Sequence, residues 1–148
     1  MKTAGYSGTP LARKLGIKEN SRLFLQDAPP NYLELVAPLP PGVKLVSRID
    51  ATTDIVHLFV TFRASLSKIC RHAMERLRPD GTIWVSWPKK ASGVRTDVTE
   101  DAIREIALPM GLVDVKVCAV NETWSGLKLV LRKENRHRAP ARAAKGVS

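Results

Sequence analysis

The segment Asp54–Phe62 (DIVHLFVTF) constrains this chain more than any other. It is almost continuously apolar and rich in β-branched and aromatic residues, which is the composition of a strand. A half-exposed strand would alternate apolar and polar positions. Here both faces are apolar, as in a parallel sheet covered on both sides. The next segments agree. In Arg63–Arg78 the residues Leu66, Ile69, Cys70, Ala73, Met74 and Leu77 recur at the spacing of one helical stripe. Arg78-Pro79-Asp80-Gly81 is a turn, and Thr82–Trp87 (TIWVSW) is a second strand that Pro88 ends. A strand, a helix and a strand in succession form a right-handed parallel unit. The two strands are therefore expected side by side at the centre of the sheet.

The remaining elements are placed around this unit. Residues 1–9 are small and polar and read as a flexible lead-in. Pro10–Leu15 is a short helix closed by Gly16, and Arg22–Gln26 is a short strand. Pro29-Pro30 opens a helical stretch carrying Tyr32, Leu33, Leu35 and Val36, which Pro38, Pro40, Pro41 and Gly42 stop. Val43–Ile49 is the next strand. A helix burying Ile103, Ile106, Ala107 and Met110 starts near Asp97 or Thr99 and ends at Gly111. Val113–Val120 and Trp124–Lys133 pair as a hairpin across Asn121-Glu122-Thr123. Strands alternating with helices predict one α/β domain over residues 10–133, mostly parallel, with helices on both faces and a C-terminal antiparallel hairpin.

Charge separates the ends of the chain. Of a net charge of +10, residues 132–148 hold six Lys/Arg against one Glu, or +5, leaving +5 for residues 1–131. Residues 134–148 are expected to form a disordered basic tail. Two cysteines, Cys70 and Cys118, stand in no ligand spacing and are expected as reduced thiols. No His, Cys, Asp or Glu pattern has zinc spacing. No apolar run reaches the roughly 20 residues of a membrane span, and the N-terminus lacks the apolar stretch of a signal peptide, so the cytoplasm is the expected location.

Two resemblances rest on particular phrases. Leu15–Leu25, the turn Leu77-Arg78-Pro79-Asp80-Gly81-Thr82-Ile83-Trp84-Val85 and Gly111-Leu112-Val113 follow one another as in S-adenosylmethionine-dependent methyltransferases. The chain resembles a shortened form of that Rossmann-like fold. It departs from the family at the cofactor loop. Glycines there let the backbone approach the ligand. Here the loop is Gln26-Asp27-Ala28-Pro29-Pro30-Asn31, without glycine and with two residues that lack an N–H. No cofactor is therefore expected. The chain is also similar to a bacterial family of unknown function, family 3052. That likeness is carried by Gly5–Leu11, Val56–Thr61, Trp84–Gly93, Val115–Val120 and Trp124–Lys128. It implies a bacterial source and brings no activity or catalytic residue.

Candidate ligand-binding residues follow from the fold class. Ligands of open α/β sheets bind beyond the carboxyl ends of the strands. Trp87, Lys89, Lys90 and Ser92 leave such an end with an aromatic face, two ammonium groups and a hydroxyl suited to a phosphate or base. Asp27 follows the first strand, and Asp50 follows the second, where a carboxylate would hold a ribose hydroxyl. His57 is expected as a buried, hydrogen-bonded core residue. No G-x-S-x-G pattern surrounds a serine, and no catalytic set is complete.

In the tail, Arg136, Arg138, Arg142 and Lys145, with Arg132 and Lys133, are the candidate nucleic-acid contacts. Six phosphate contacts would give a salt slope near −5, at about −0.9 each. The sequence thus leads to a non-catalytic binding or regulatory domain. One alternative is a small enzyme or binder of nucleotides or anionic metabolites near Trp87–Lys90. Another is nonspecific nucleic-acid association through the tail.

Overall fold

A computed structural model describes residues 9–136. One six-stranded sheet runs through the domain: β1 (Arg22–Gln26), β2 (Lys44–Val46), β3 (Ile55–Phe59), β4 (Thr82–Pro88), β5 (Leu112–Ala119) and β6 (Trp124–Leu131). Their spatial order is β2-β1-β3-β4-β6-β5. The first four pair in parallel, and β6 is antiparallel to both β4 and β5. The two apolar strands, β3 and β4, lie side by side at the centre as their composition requires. The fold is α/β and Rossmann-like, mostly parallel, with the expected terminal hairpin.

The helices divide between the faces. α3 (Arg63–Arg76) and α4 (Glu100–Ala107) cover one face. Val56, Leu58, Ile83, Val85, Leu127, Leu129 and Leu131 meet Leu66, Cys70, Met74 and Ile103 there. α1 (Leu11–Leu15) and the single turn α2 (Tyr32–Leu35) cover the other, where Leu15, Leu23, Tyr32, Ile55, Phe59 and Trp84 form a second core. The buried Trp84 donates its indole N–H to the Leu15 carbonyl at 2.9 Å, tying α1 to the centre of the sheet. Gly16, at φ 83°, lets the chain leave α1 immediately afterwards.

Several boundaries are shorter than the sequence suggests. β2 ends at Val46, and the chain then turns inward so that Ile49 joins the α3-face core. The helix before β5 tightens to a 3₁₀ turn at Leu108–Met110, because Pro109 has no N–H for an α-helical bond. The C-terminal segment is ordered further than expected. α5 (Lys133–Arg136) docks through Asn135 Nδ2 to the Gly111 carbonyl at 3.3 Å and Arg136 Nε to the Leu131 carbonyl at 2.9 Å. The expected lead-in up to residue 8 and the tail from residue 137 lie outside the described residues. Among the described residues no helix is long and apolar enough to cross a membrane.

Candidate functional site

The chain leaves β1 toward β2 on one side and places β3 on the other. The crevice beyond the carboxyl ends of β1 and β3 is therefore the topological switch point, the usual ligand position in such sheets. Asp27 begins it in a left-handed conformation, φ 57°, with its carboxylate 3.3 Å from Gln26 Nε2. The helix that follows is a single turn. Two of its first donors are already used, Tyr32 N–H by the Pro29 carbonyl and Glu34 N–H by the Asn31 carbonyl, both at 3.0 Å. The other helix start at this edge is closed as well. Arg63 N–H at the head of α3 donates to Asp97 Oδ1 at 2.7 Å, and Arg63 Nε donates to the Asp97 carbonyl at 2.8 Å. Thr96 Oγ1 donates to the Thr61 carbonyl, which pins the same loop over the end of β3. Thr99, and not Asp97, caps α4 through Ala102 N–H.

The Trp87–Ser92 segment divides between the core and the surface. Trp87 is buried among the residues of the α3 face. Ser92 donates to the Lys89 carbonyl at 2.6 Å and accepts from Val94 N–H at 3.1 Å, so its hydroxyl shapes its own turn. Lys90 is exposed and Lys89 half-buried. Asp50 is placed away from Asp27. Its carboxylate accepts from Thr52 N–H at 2.9 Å and from Thr52 Oγ1 at 2.6 Å. Those Thr52 bonds hold its carboxyl below the ordinary range, with Arg22 and Arg48 adding to the effect. Asp50 N–H donates to Thr53 Oγ1, and the next residue, Asp54, donates its N–H to the Arg22 carbonyl at the start of β1, whereas Asp27 follows the strand's last residue, so the two carboxylates stand toward opposite ends of the strand.

Beneath the crevice lies a buried polar relay. Tyr32 Oη is 3.0 Å from His57 Nδ1, and His57 Nε2 is 2.7 Å from Ser86 Oγ. A neutral imidazole has one donor and one acceptor nitrogen, which satisfies both hydroxyls. Burial pushes the His57 pKa down to about 3 and the Tyr32 phenol up, so both stay uncharged. His57 stacks on Phe59 with centroids 4.3 Å apart. This is the satisfied core histidine that the sequence predicts. Cys70 is buried and Cys118 half-buried, and both are free thiols. Among the described residues no three His, Cys, Asp or Glu side chains come together as a metal site.

The clearest feature that sequence reasoning missed lies on the α1 face of the hairpin. A cavity of about 500 Å³ at the amino ends of the parallel strands is lined in part by Lys18, Asp54, Arg78 and Lys128. A groove of about 630 Å³ between α1 and the edge strand is lined by Arg13, Lys14, Lys116 and Cys118. Lys116 and Lys128 are directly opposite in the β5–β6 ladder. Neither cavity contains Trp87, Lys89, Lys90 or Ser92, and the same holds for a third of about 250 Å³ between β1 and α3. Only the start of the basic tail falls within the described residues. Arg132 donates to the Leu108 carbonyl at 3.2 Å and Arg136 is held at Leu131, while Arg138, Arg142 and Lys145 lie outside the described residues.

Solved structures share the fold at low identity. A protein assigned to the type 11 methyltransferases from Sulfolobus solfataricus matches with a TM-score of 0.56 and 14% identity, covering 84% of this chain and 91% of that one. A SAM-dependent methyltransferase from Aquifex aeolicus gives 0.60 at 12% identity, over 80% and 86%. The Methanococcus jannaschii fibrillarin pre-rRNA processing protein gives 0.52 at 12%, over 79% and 69%. At these identities the likeness is one of fold alone. No curated protein sequence matches the chain. A family profile matches residues 45–133, from β2 to the end of the hairpin, and so the chain belongs to the family described as "Protein of unknown function (DUF3052)".

Proposed function

We propose that this protein is a non-catalytic binding domain on a methyltransferase-like sheet, and that it takes no S-adenosylmethionine. One observation carries the reading: the chain's own groups take Arg63 N–H, Tyr32 N–H and Glu34 N–H at the two helix starts of the carboxyl edge. A nucleotide cofactor in such a fold needs free N–H groups at a helix start and close backbone approach. Asp97 takes Arg63 N–H at the start of α3, and the one-turn α2 gives its Tyr32 and Glu34 N–H groups to Pro29 and Asn31. Asp27 adds a carboxylate where a cradle would need glycine. The Tyr32–His57–Ser86 relay has no exposed member: each of the three is under 3% accessible. An approaching substrate would find neither a base nor a nucleophile there.

Titration calorimetry of the full chain tests this. S-Adenosylmethionine gives no saturable heat up to about 1 mM, the level of only about −4 kcal/mol. Saturable binding at or below about 10 μM that is lost in Asp27→Ala would overturn the reading and make the glycine-free loop a variant cradle. The exposed Lys90 and its neighbour Lys89 keep the anionic-ligand alternative open to the same method. Saturable ATP binding abolished by Lys89→Ala with Lys90→Ala would favour it.

A further inference from the structure

The hairpin face carries charges that the fold itself does not use. Lys116 and Lys128 oppose each other across the β5–β6 ladder, and like charges in that position destabilise a sheet. A β-bulge creates the juxtaposition. Asp114 pairs with Leu129 and Lys116 with Lys128, so the irregularity at Val115 turns Lys116 to the face opposite Asp114. Lys18 approaches the same pair. Burial, then Lys116 and Lys18, hold the Lys128 ammonium below its usual range. Among the described residues none of Arg13, Lys14, Lys18, Lys116 and Lys128 makes an ion pair. Two acids of the adjoining cavity, Asp54 and Asp80, are taken by Arg78 at 2.7 and 2.6 Å. Glu19 is the remaining acid there. Residues 1–8 and 137–148 contain no Asp or Glu, so neither terminal segment brings an acidic side chain to this surface.

We propose that the stripe Arg13, Lys14, Lys18, Lys116 and Lys128 is a docking surface for the sugar–phosphate backbone of a nucleic acid. The cations are spread over α1, the segment after it, β5 and β6, along two adjoining depressions. A small anion would need them converged on one pocket. A polyanion with regularly spaced phosphates meets them in series. Among the described residues no aromatic side chain lines either depression, so there is no stacking platform beside the cations and binding is independent of base sequence. An acidic protein partner would call for an exposed aromatic anchor at the centre of the patch. The surface is separate from the carboxyl edge, and the proposal stands or falls independently of the cofactor reading.

Fluorescence anisotropy of the full chain with a labelled DNA duplex of about 20 base pairs, from about 50 to 200 mM salt, reads it directly. The wild type binds with a log–log salt slope near −4.5, about −0.9 for each of five contacts. Lys116→Glu with Lys128→Glu loses at least about tenfold in affinity and flattens the slope by about 2. Lys116→Gln with Lys128→Gln also weakens binding but melts no lower than wild type, which separates lost charge from lost fold. Arg138→Ala, Arg142→Ala and Lys145→Ala together change affinity less than about threefold, the tail not being the principal contact. Any of four results overturns the proposal. These are no wild-type binding at the lowest salt, an unchanged slope in the Glu pair, loss confined to the tail variant, or equally tight binding of polyglutamate.

Discussion

Asp114 and Lys116 stand two residues apart on β5, yet they belong to different kinds of surface. Asp114 faces α4, where Arg104 Nε reaches its carboxylate at 2.7 Å and holds its pKa down. Glu100 meets the same guanidinium at 2.6 Å. Lys116, turned over by the bulge, meets another lysine. The contrast extends through the molecule. At the carboxyl edge Asp97 is bonded to Arg63, and the Tyr32–His57–Ser86 relay is satisfied within its own chain, although Lys89 and Lys90 make no ion pair among the described residues. On the α1 side of the hairpin, cations gather without ion-pair partners among the described residues. Internally satisfied groups stabilise a fold and leave little for a ligand. Unpaired like charges lower stability locally and become favourable only when an anion arrives.

The largest effect that sharpens this contrast is at His57. Its folded pKa of about 3 lies well below the ordinary value of 6.5. The unfolded chain therefore binds the extra proton first as the pH falls. The stabilisation is complete above about pH 6.5 and is lost toward pH 3, at up to about 1.4 kcal/mol per pH unit. His57→Leu removes this contribution to the acid slope. It also costs about 2–5 kcal/mol at pH 7, since it leaves the Tyr32 and Ser86 hydroxyls without their partner. Urea unfolding across pH 4–8 compares the two proteins, and parallel curves would mean that the relay is not the acid-sensitive element. A smaller effect is expected at Asp97. Asp97→Ala frees the Arg63 N–H and lowers stability by about 0.5–2 kcal/mol, as the loss of a helix cap does. An unchanged urea midpoint would show that this closure contributes nothing.

The centre of the fold was readable because burial on both faces leaves a continuous apolar record. Asp54–Phe62, the Leu66–Leu77 stripe and Thr82–Trp87 became β3, α3 and β4 in that arrangement. His57 was readable for the same reason, since an apolar strand leaves a polar side chain no exit to water. The cation surface was not. Period-2 alternation puts Asp114 and Lys116 on one face, and only the bulge, which depends on pairing with β6, separates them. Arg13, Lys14 and Lys18 lie within six residues, but Lys116 and Lys128 are about a hundred residues further on, so only the fold joins the two groups. The tail did show one local run of charge and drew attention to itself, although Arg132 and Arg136 are spent on main-chain carbonyls. Asp50 appeared to follow a strand of full length. β2 stops at Val46, and the intervening residues carry Asp50 into a Thr52 turn.

Amide chemical-shift mapping on the full chain distinguishes the two regions in one experiment. With the carboxyl edge closed and the α1 face of the hairpin as the proposed docking surface, a DNA duplex perturbs residues 13–18, 116–118 and 128. S-Adenosylmethionine leaves residues 26–31 and 60–63 unmoved. Saturable shifts at residues 26–31 with S-adenosylmethionine, or DNA-induced shifts that avoid the hairpin, would contradict this assignment.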